Sequence, residues 1–222
     1  MFRKTIVFLF ILYICNNSYS QNCNNCNNNN IINGDFEEFD PTCVSNSSNY
    51  GSAFFNSNCV DNWSAAFQSP DLITPSVSFV NLAPLIPSSM AGMLVPGFES
   101  IISNSFNFDI INSPEFNYSL NFDLAAANIV IIGPDRFNNP LLDVYPSTLD
   151  VSLVSGNTVD LVQSIPITNN DNITFGINSH CLDPIPLVQG TYSQIQFQPY
   201  KNTPWVTGDP SCWALIDNVN MN

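Results

Sequence analysis

The chain has 222 residues and carries 18 Asp and Glu against only 4 Lys and Arg, a formal net charge of −14. This charge argues against nucleic acid or an anionic membrane as a partner, because both are recognised through positive charge. It suits cations, neutral ligands or basic partners. Hydrophobic residues make up 45% of the chain, enough for a packed core, so the composition does not indicate disorder.

The first twenty residues are typical of a secretory signal peptide. A short basic start precedes the apolar run Thr5–Ile14, and Ser18–Ser20 has the small-x-small pattern of a cleavage site. We therefore predict a secreted protein, extracellular or at the cell surface, with a flexible Asn-rich lead-in over residues 21–30. No later segment is long and apolar enough to be a membrane helix, so we expect no membrane insertion of the mature chain.

Six cysteines follow the signal segment, an even number that favours disulfides in a secreted chain. Six cysteines allow fifteen pairings. The pairings that we prefer are Cys43–Cys59, Cys181–Cys212 and the local pair Cys23–Cys26. A zinc site is the alternative, but it would have only one half-site, since no second close cysteine pair follows and His180 is the only histidine.

Alternating apolar and polar residues predict strands along most of the chain. The segments are Ser105–Ile110, Glu115–Leu124, Leu149–Leu153, Asn172–Asn178 and Gln194–Gln198. Ala125–Ile132 either continues the preceding strand or forms a short helix, and Ser64–Pro96 is interpreted as long loops around one or two short strands. We predict one all-β domain over residues 31–222, a two-sheet antiparallel β-sandwich of the jelly-roll type.

The two ends of this domain carry the most unusual carboxylates. Ile31–Asp40 reads IINGDFEEFD, and Trp213–Met221 reads WALIDNVNM. In a strand, Asp217 would share one face with Leu215, Val219 and Met221. A carboxylate in an apolar row is costly unless a cation neutralises it. We therefore predict that the first and last strands meet and bind a hard divalent ion, Ca²⁺.

Several short motifs resemble a known family. They are NGDFE at Asn33–Glu37, CVDNW at Cys59–Trp63, SPD at Ser69–Asp71 and the closing WALIDNVNM. Together they resemble carbohydrate-binding-module-like proteins of the galactose-binding-like jelly-roll superfamily, including a group of bacterial secreted surface proteins. The resemblance implies a structural calcium held by the Glu of the opening F-E and the first Asp of the closing pair, which are Glu37 and Asp217 here. Asn218 stands in place of the second Asp and still offers an oxygen ligand.

Aromatic side chains are the candidate sugar-binding groups, because the C–H faces of pyranose rings stack on aromatic rings. Trp63 and Trp213 lie in strand-like runs, so we assign them to the core. Trp205, Tyr50 and Tyr200 are the candidate ligand-binding residues.

The chain contains no G-x-S-x-G, H-E-x-x-H, P-loop or dinucleotide motif, and His180 is interpreted as a loop residue. We therefore expect no enzymatic activity. The leading hypothesis is a secreted, non-catalytic module that binds carbohydrate or another extracellular polymer. The alternative is a structural or adhesive cell-surface protein that binds a protein partner.

Overall fold

A computed structural model describes part of the chain. The described residues are 30–40, 55, 59–75, 85–95, 99–104, 106, 110–111, 117–132, 135–138, 147–185, 191–201 and 211–222. Within them, no helix is both long and apolar enough to cross a membrane.

The described residues form thirteen strands. They are β1 (Trp63–Phe67), β2 (Asp71–Ile73), β3 (Met90–Val95), β4 (Ser100–Ser103), β5 (Ile110–Ile111), β6 (Leu120–Ile132), β7 (Asp135–Asn138), β8 (Ser147–Ser155), β9 (Thr158–Ile167), β10 (Asn178–Leu182), β11 (Thr191–Tyr192), β12 (Gln194–Lys201) and β13 (Ser211–Met221).

Two antiparallel sheets pack face to face. The five-stranded sheet has the order β1-β4-β12-β8-β9, and the six-stranded sheet has the order β10-β6-β13-β3-β2, with β7 also paired to β6. Strands β5 and β11 form a separate short pair. The predicted two-sheet β-sandwich is confirmed.

The main core lies between the sheets. Alternate side chains of β8, β12, β6 and β13 point into it, because successive residues of a strand face opposite sides. Trp63 is buried there and packs on Phe36 and Phe197, with ring centroids 5.0 Å and 6.3 Å away. The assignment of Trp63 to the core is confirmed.

A second apolar layer covers the outer face of the six-stranded sheet. Trp213 and Leu215 of β13 lie in this layer, and Ile86 and Ile173 from two loops pack over them. Trp213 is only 1% exposed, so its assignment to the core is also confirmed. Ala126 faces the core between the sheets and Ala125 and Ala127 face the outer layer, so this stretch is buried on both faces and does not alternate. The run Ala125–Ile132, apolar except for Asn128, continues β6.

The segment that carries Ile173 was predicted to be a strand, and this prediction is wrong. It forms two short 3-10 turns, Asn169–Asp171 and Ile173–Phe175, and the next strand begins only at Asn178. The Asn172 side chain accepts a hydrogen bond from the Thr174 backbone N–H at 3.0 Å, and such local bonds compete with extended structure. We call residues 168–177 the covering loop.

Two other boundaries differ from the prediction. Residues 117–119 are not in a strand, so the strand predicted from Glu115 begins at Leu120. The described part of the region predicted as loops with one or two strands contains three strands, β1, β2 and β3.

Candidate functional site

The opening segment, residues 30–40, lies against the end of β13. The Val219 N–H donates to the Gly34 carbonyl at 2.8 Å, and the Asn30 N–H donates to the Met221 carbonyl at 3.1 Å. A Cβ atom on Gly34 would overlap the Val219 carbonyl oxygen, so only glycine permits this approach. The two ends of the predicted domain therefore meet, although the opening segment is a series of turns rather than a strand.

Asn33 holds the opening segment to the start of β1. Its side-chain Nδ2 donates to the carbonyls of Glu38 and Asp61, both at 2.8 Å, and its Oδ1 accepts from the Glu38 N–H at 2.9 Å. The Trp63 indole N–H donates to the Asn33 carbonyl at 3.0 Å. We did not predict a role for Asn33 from the sequence, although it is the first residue of the NGDFE motif.

The two carboxylates predicted to bind calcium accept hydrogen bonds from two consecutive residues, Ser88 and Ser89. Glu37 accepts hydrogen bonds from the Ser89 N–H at 2.6 Å and from the Ser89 hydroxyl at 3.2 Å. Asp217 accepts a hydrogen bond from the hydroxyl of the preceding residue, Ser88. Asp217 is only 1% exposed, whereas Glu37 is exposed.

Asp217 does not share a face with Val219 and Met221, so that part of the prediction is wrong. The register of β13 against β6 shifts between Asp217 and Asn220, and Asn218 has a φ of 51°. This bulge turns Val219 and Met221 into the core between the sheets, whereas Leu215 remains in the outer layer. Asp217 therefore lies at the edge of the outer layer.

Negative charge accumulates around Asp217. Asp123 of β6 is its register partner, and the Asn218 side chain donates to both carboxylates, at 2.7 Å to Asp123 and 3.4 Å to Asp217. Burial, together with the charges of Asp123 and Asp35, raises the pKa of Asp217 to about 7, although hydrogen bonds from Ser88 and Asn218 act in the opposite direction. We call Glu37, Asp123, Asp217 and Asn218 the chain-end cluster.

Sequence reasoning missed Asp123, because only the strand register places it beside Asp217. Within the described parts of the chain, no group of three or more His, Cys, Asp or Glu side chains is arranged to hold a metal. A calcium ion here would therefore need backbone carbonyls and the Asn218 oxygen in addition to Glu37 and Asp217. A polar cavity of about 330 Å³ borders the cluster and is lined in part by Asn218.

The outer face of the five-stranded sheet has a different character. Strand β12 places three glutamines and Tyr200 on this face, half-buried, and they alternate with buried core residues. These residues are Gln194, Gln196, Gln198 and Tyr200. The Gln194 amide donates to the Ser103 carbonyl at 2.8 Å, and the Gln196 amide donates to the Gln198 side-chain oxygen at 3.3 Å.

Neighbouring strands complete this surface. Opposite β12, strand β8 contributes Thr148, Asp150 and Ser152, and next to it β9 contributes Leu161 and Ser164. We call these residues, with the β12 residues and Ile102 of β4, the amide face. The glutamines were not predicted as site residues, although the alternation QIQFQ in the sequence already placed them together.

The amide face combines neutral polar groups with aliphatic ones. Burial, and then the charge of Asp150, raises the pKa of Tyr200, so its phenol stays protonated at neutral pH. The Ser164 hydroxyl donates to Asp150 at 2.5 Å. Ile102 lies opposite Gln196, and Leu161, which is 50% exposed, lies opposite Ser152. Such a surface can donate and accept hydrogen bonds and also contact an apolar ring face.

Of the predicted ligand-binding residues, the structure places Tyr200 on the amide face. Trp205 and Tyr50 lie outside the described residues. His180, predicted to be a loop residue, is instead in β10, where its ring stacks on Phe122 with centroids 5.5 Å apart. Burial lowers the pKa of His180 despite the nearby charges of Asp171 and Asp123.

The predicted Cys181–Cys212 disulfide is wrong. Cys181 pairs with Asn121 of β6, whereas the buried thiol of Cys212 lies opposite Asn128 of the same strand. Seven residues of strand separate these positions, or roughly 23 Å, far beyond the reach of a disulfide. Cys59 and Cys181 are each disulfide-bonded. The other predicted members, Cys23, Cys26 and Cys43, lie outside the described residues.

No protein-family model and no curated protein sequence matches the chain. Solved structures with a similar fold include a family 4 carbohydrate-binding module, at 13% identity over 75% of this chain and 98% of the module, with a TM-score of 0.39. A family 61 module in complex with β-1,4-galactotriose matches at 10% identity over 88% and 98%, with a TM-score of 0.40. A Stig cyclase from Fischerella sp. TAU matches at 14% over 87% and 95%, with a TM-score of 0.44. At these identities the likeness concerns the fold alone.

Proposed function

We propose that the protein is a non-catalytic carbohydrate-binding module that binds its ligand on the amide face. The observation that carries this proposal is the row of Gln194, Gln196, Gln198 and Tyr200 on one side of β12. A glutamine side chain offers both donors and an acceptor, which suits the hydroxyl groups of a sugar. Apolar side chains on the same face, such as Leu161, suit the C–H faces of the sugar rings.

The contrast between the two sheets supports this choice of surface. The outer face of the six-stranded sheet is filled by Trp213 and Leu215 and packed under loop residues Ile86 and Ile173. The glutamines of β12 are only half-buried, so their amide groups remain accessible. In the described part of the molecule, the amide face is therefore the better surface for an extended ligand.

A structural calcium at the chain-end cluster forms the second part of the proposal. Glu37 and Asp217 bind adjacent serines, and Asp217 is a buried carboxylate beside the negative charge of Asp123. A divalent cation would offset this repulsion, and oxygen ligands suit calcium. The Asn218 side chain now presents its nitrogen to the carboxylates, so it would rotate to offer its oxygen. The ion would tie the opening segment to β13.

We propose that the protein acts outside the cell or at its surface. The signal-like first twenty residues and the six cysteines after them favour secretion and oxidised cysteines. The ligand would then be a glycan or another polymer outside the cell or at its surface.

One observation favours the alternative, a protein partner. Phe175, at the end of the covering loop, is 77% exposed, and the loop that carries it is held by hydrogen bonds from Asn178 to Asn170 and Asp171. An exposed aromatic side chain suits contact with a protein partner, because protein interfaces are enriched in aromatic residues.

The test is binding of the oxidised full chain to neutral polysaccharides, starting with β-1,4-galactan and mannan, with and without calcium. We expect Gln196→Ala to weaken binding about tenfold, because a hydrogen bond to the ligand is lost. The matched control is Gln163→Ala, which removes the same amide from an exposed position of β9 opposite Val151, outside the amide face. Equal losses in both variants would contradict the proposed site.

A further inference from the structure

We propose that the amide face selects uncharged glycans and rejects chains of uronic acids. This inference rests on the proposed function, because it concerns the ligand class of the same surface. It comes from the charges on the face and on the whole chain.

Neutral groups dominate the polar part of the amide face. Three of the four outward side chains of β12 are glutamines, and the fourth, Tyr200, carries a protonated phenol. Each can bond to a sugar hydroxyl, but none supplies the positive charge that binds a carboxylate tightly. Lys201 follows Tyr200 in the strand, so its side chain starts on the opposite face, where its register partner Ser147 is buried.

Among the described residues, the charged side chain on the amide face is that of Asp150, which is negative. Asp150 lies opposite Gln198, near the centre of the polar row, and the Ser164 hydroxyl donates to it. A uronate group that bonded to Gln198 would therefore approach a carboxylate of the protein. Like charges that are brought together across an interface suppress binding.

The whole chain reinforces this local repulsion. Its formal charge of −14 slows the approach of any polyanion and favours neutral ligands by comparison. Aliphatic groups at the margins of the face, Ile102 and Leu161, add contacts that do not depend on ligand charge. The geometry thus combines charge-independent attraction with a repulsion that acts on acidic chains alone.

The test compares neutral polysaccharides with their carboxylated counterparts, such as carboxyl-reduced polygalacturonate with polygalacturonate and β-1,4-mannan with polymannuronate. Each pair differs at one carbon, which carries a hydroxymethyl group or a carboxylate. At low salt we expect at least about tenfold weaker binding to the acidic member of a pair. Salt should narrow this difference by screening the repulsion and leave neutral binding nearly constant.

Three outcomes would overturn the inference in distinguishable ways. Equal affinity for both members of a pair would remove the charge selection and leave the proposed carbohydrate binding intact. Failure to bind any neutral or acidic polysaccharide would overturn the proposed function itself. Binding strongest to a glucosamine polymer, and lost at high salt, would indicate non-specific attraction to an acidic protein.

Two variants test whether Asp150 on the amide face causes the preference for neutral glycans. Asp150→Asn should narrow the ratio of neutral to acidic affinity by about threefold, because it removes one nearby charge. Asp183→Asn changes the net charge equally, but this exposed residue follows β10 at the edge of the other sheet. A ratio that responds equally to both variants would show that the charge of the whole chain, and not the amide face, discriminates.

Discussion

The outer faces of the two sheets use their polar residues in opposite ways. On the six-stranded sheet, carboxylates and serines bond to one another beside a buried apolar layer. On the five-stranded sheet, glutamines and Tyr200 remain half-exposed and largely uncharged. The first arrangement uses its hydrogen-bonding groups within the protein. In the second, Gln194 and Gln196 each donate one bond within the protein, and the remaining donors and acceptors of the amides are available to a ligand.

Because of this difference, we expect the stability of the fold and the affinity for a ligand to depend on different residues. Changes in the chain-end cluster or the opening segment should alter the free energy of unfolding and have little direct effect on an open, neutral surface. Changes on the amide face should do the reverse. The variants below test this separation on the six-stranded side, beginning with the largest expected effect.

Gly34→Ala should cause the largest loss of stability. The new methyl group would overlap the Val219 carbonyl oxygen, which belongs to the backbone of β13 and cannot rotate away. We expect the free energy of unfolding to fall by about 3 kcal/mol or more, measured by denaturant titration. Gly156→Ala is the control, since it has φ of +58° but open space around it, and should cost only about 1 kcal/mol. Similar losses of stability in the two variants would mean that Gly34 does not lie close to the Val219 carbonyl.

Asp217 should make stability depend on pH when calcium is removed by a chelator. Its pKa is about 7 in the folded protein, against an ordinary value of 3.8, so the folded state retains a proton that the unfolded state has lost. The free energy of unfolding should therefore fall as pH rises from about 4 to 7 and level off above that, a change of roughly 3–4 kcal/mol.

Two comparisons complete this test. Asp217→Asn should flatten the pH dependence over that window, because the titrating group is gone. Calcium should stabilise the wild-type chain at pH 7.5 and have no such effect on the variant. If chelator and calcium leave the melting temperature of the wild-type protein unchanged at pH 7.5, the proposed calcium site is wrong.

Sequence patterns could predict the sheets because alternation reports which side chain is buried. β8 and β12 contain segments that follow this rule, Leu149–Leu153 and Gln194–Gln198, and both segments were predicted as strands. The covering loop departs from it: Ile173, Phe175 and Ile177 alternate as in a strand, but the side chain of Asn172 caps a turn instead. Alternation alone cannot reveal this competition between local hydrogen bonds and extended structure.

The candidate sites were predictable only in part, for a related reason. Asp217 was noticed because it interrupts an apolar row near the end of the domain, whereas Glu37 was assigned only through the family resemblance. Asp123 was not noticed, because its importance depends on the strand that pairs with β6. The bulge at Asn218 was also hidden, and it reverses which side chains of β13 face the core. Register and bulges are tertiary properties that a single sequence does not specify.

Phe175→Ser is the change with the smallest expected effect. The side chain is 77% exposed and Ile173, two residues earlier, anchors the covering loop, so the free energy of unfolding should change by less than about 0.5 kcal/mol. Affinity for a neutral glycan should stay within about twofold, since the covering loop packs on β6 of the other sheet. Ile173→Ser is the matched control and should destabilise clearly, because its side chain is buried. Isothermal titration of the Phe175 variant against the glycan that the wild type binds would decide the point. A large loss of glycan affinity would place the ligand on the six-stranded sheet and end the separation between the two faces.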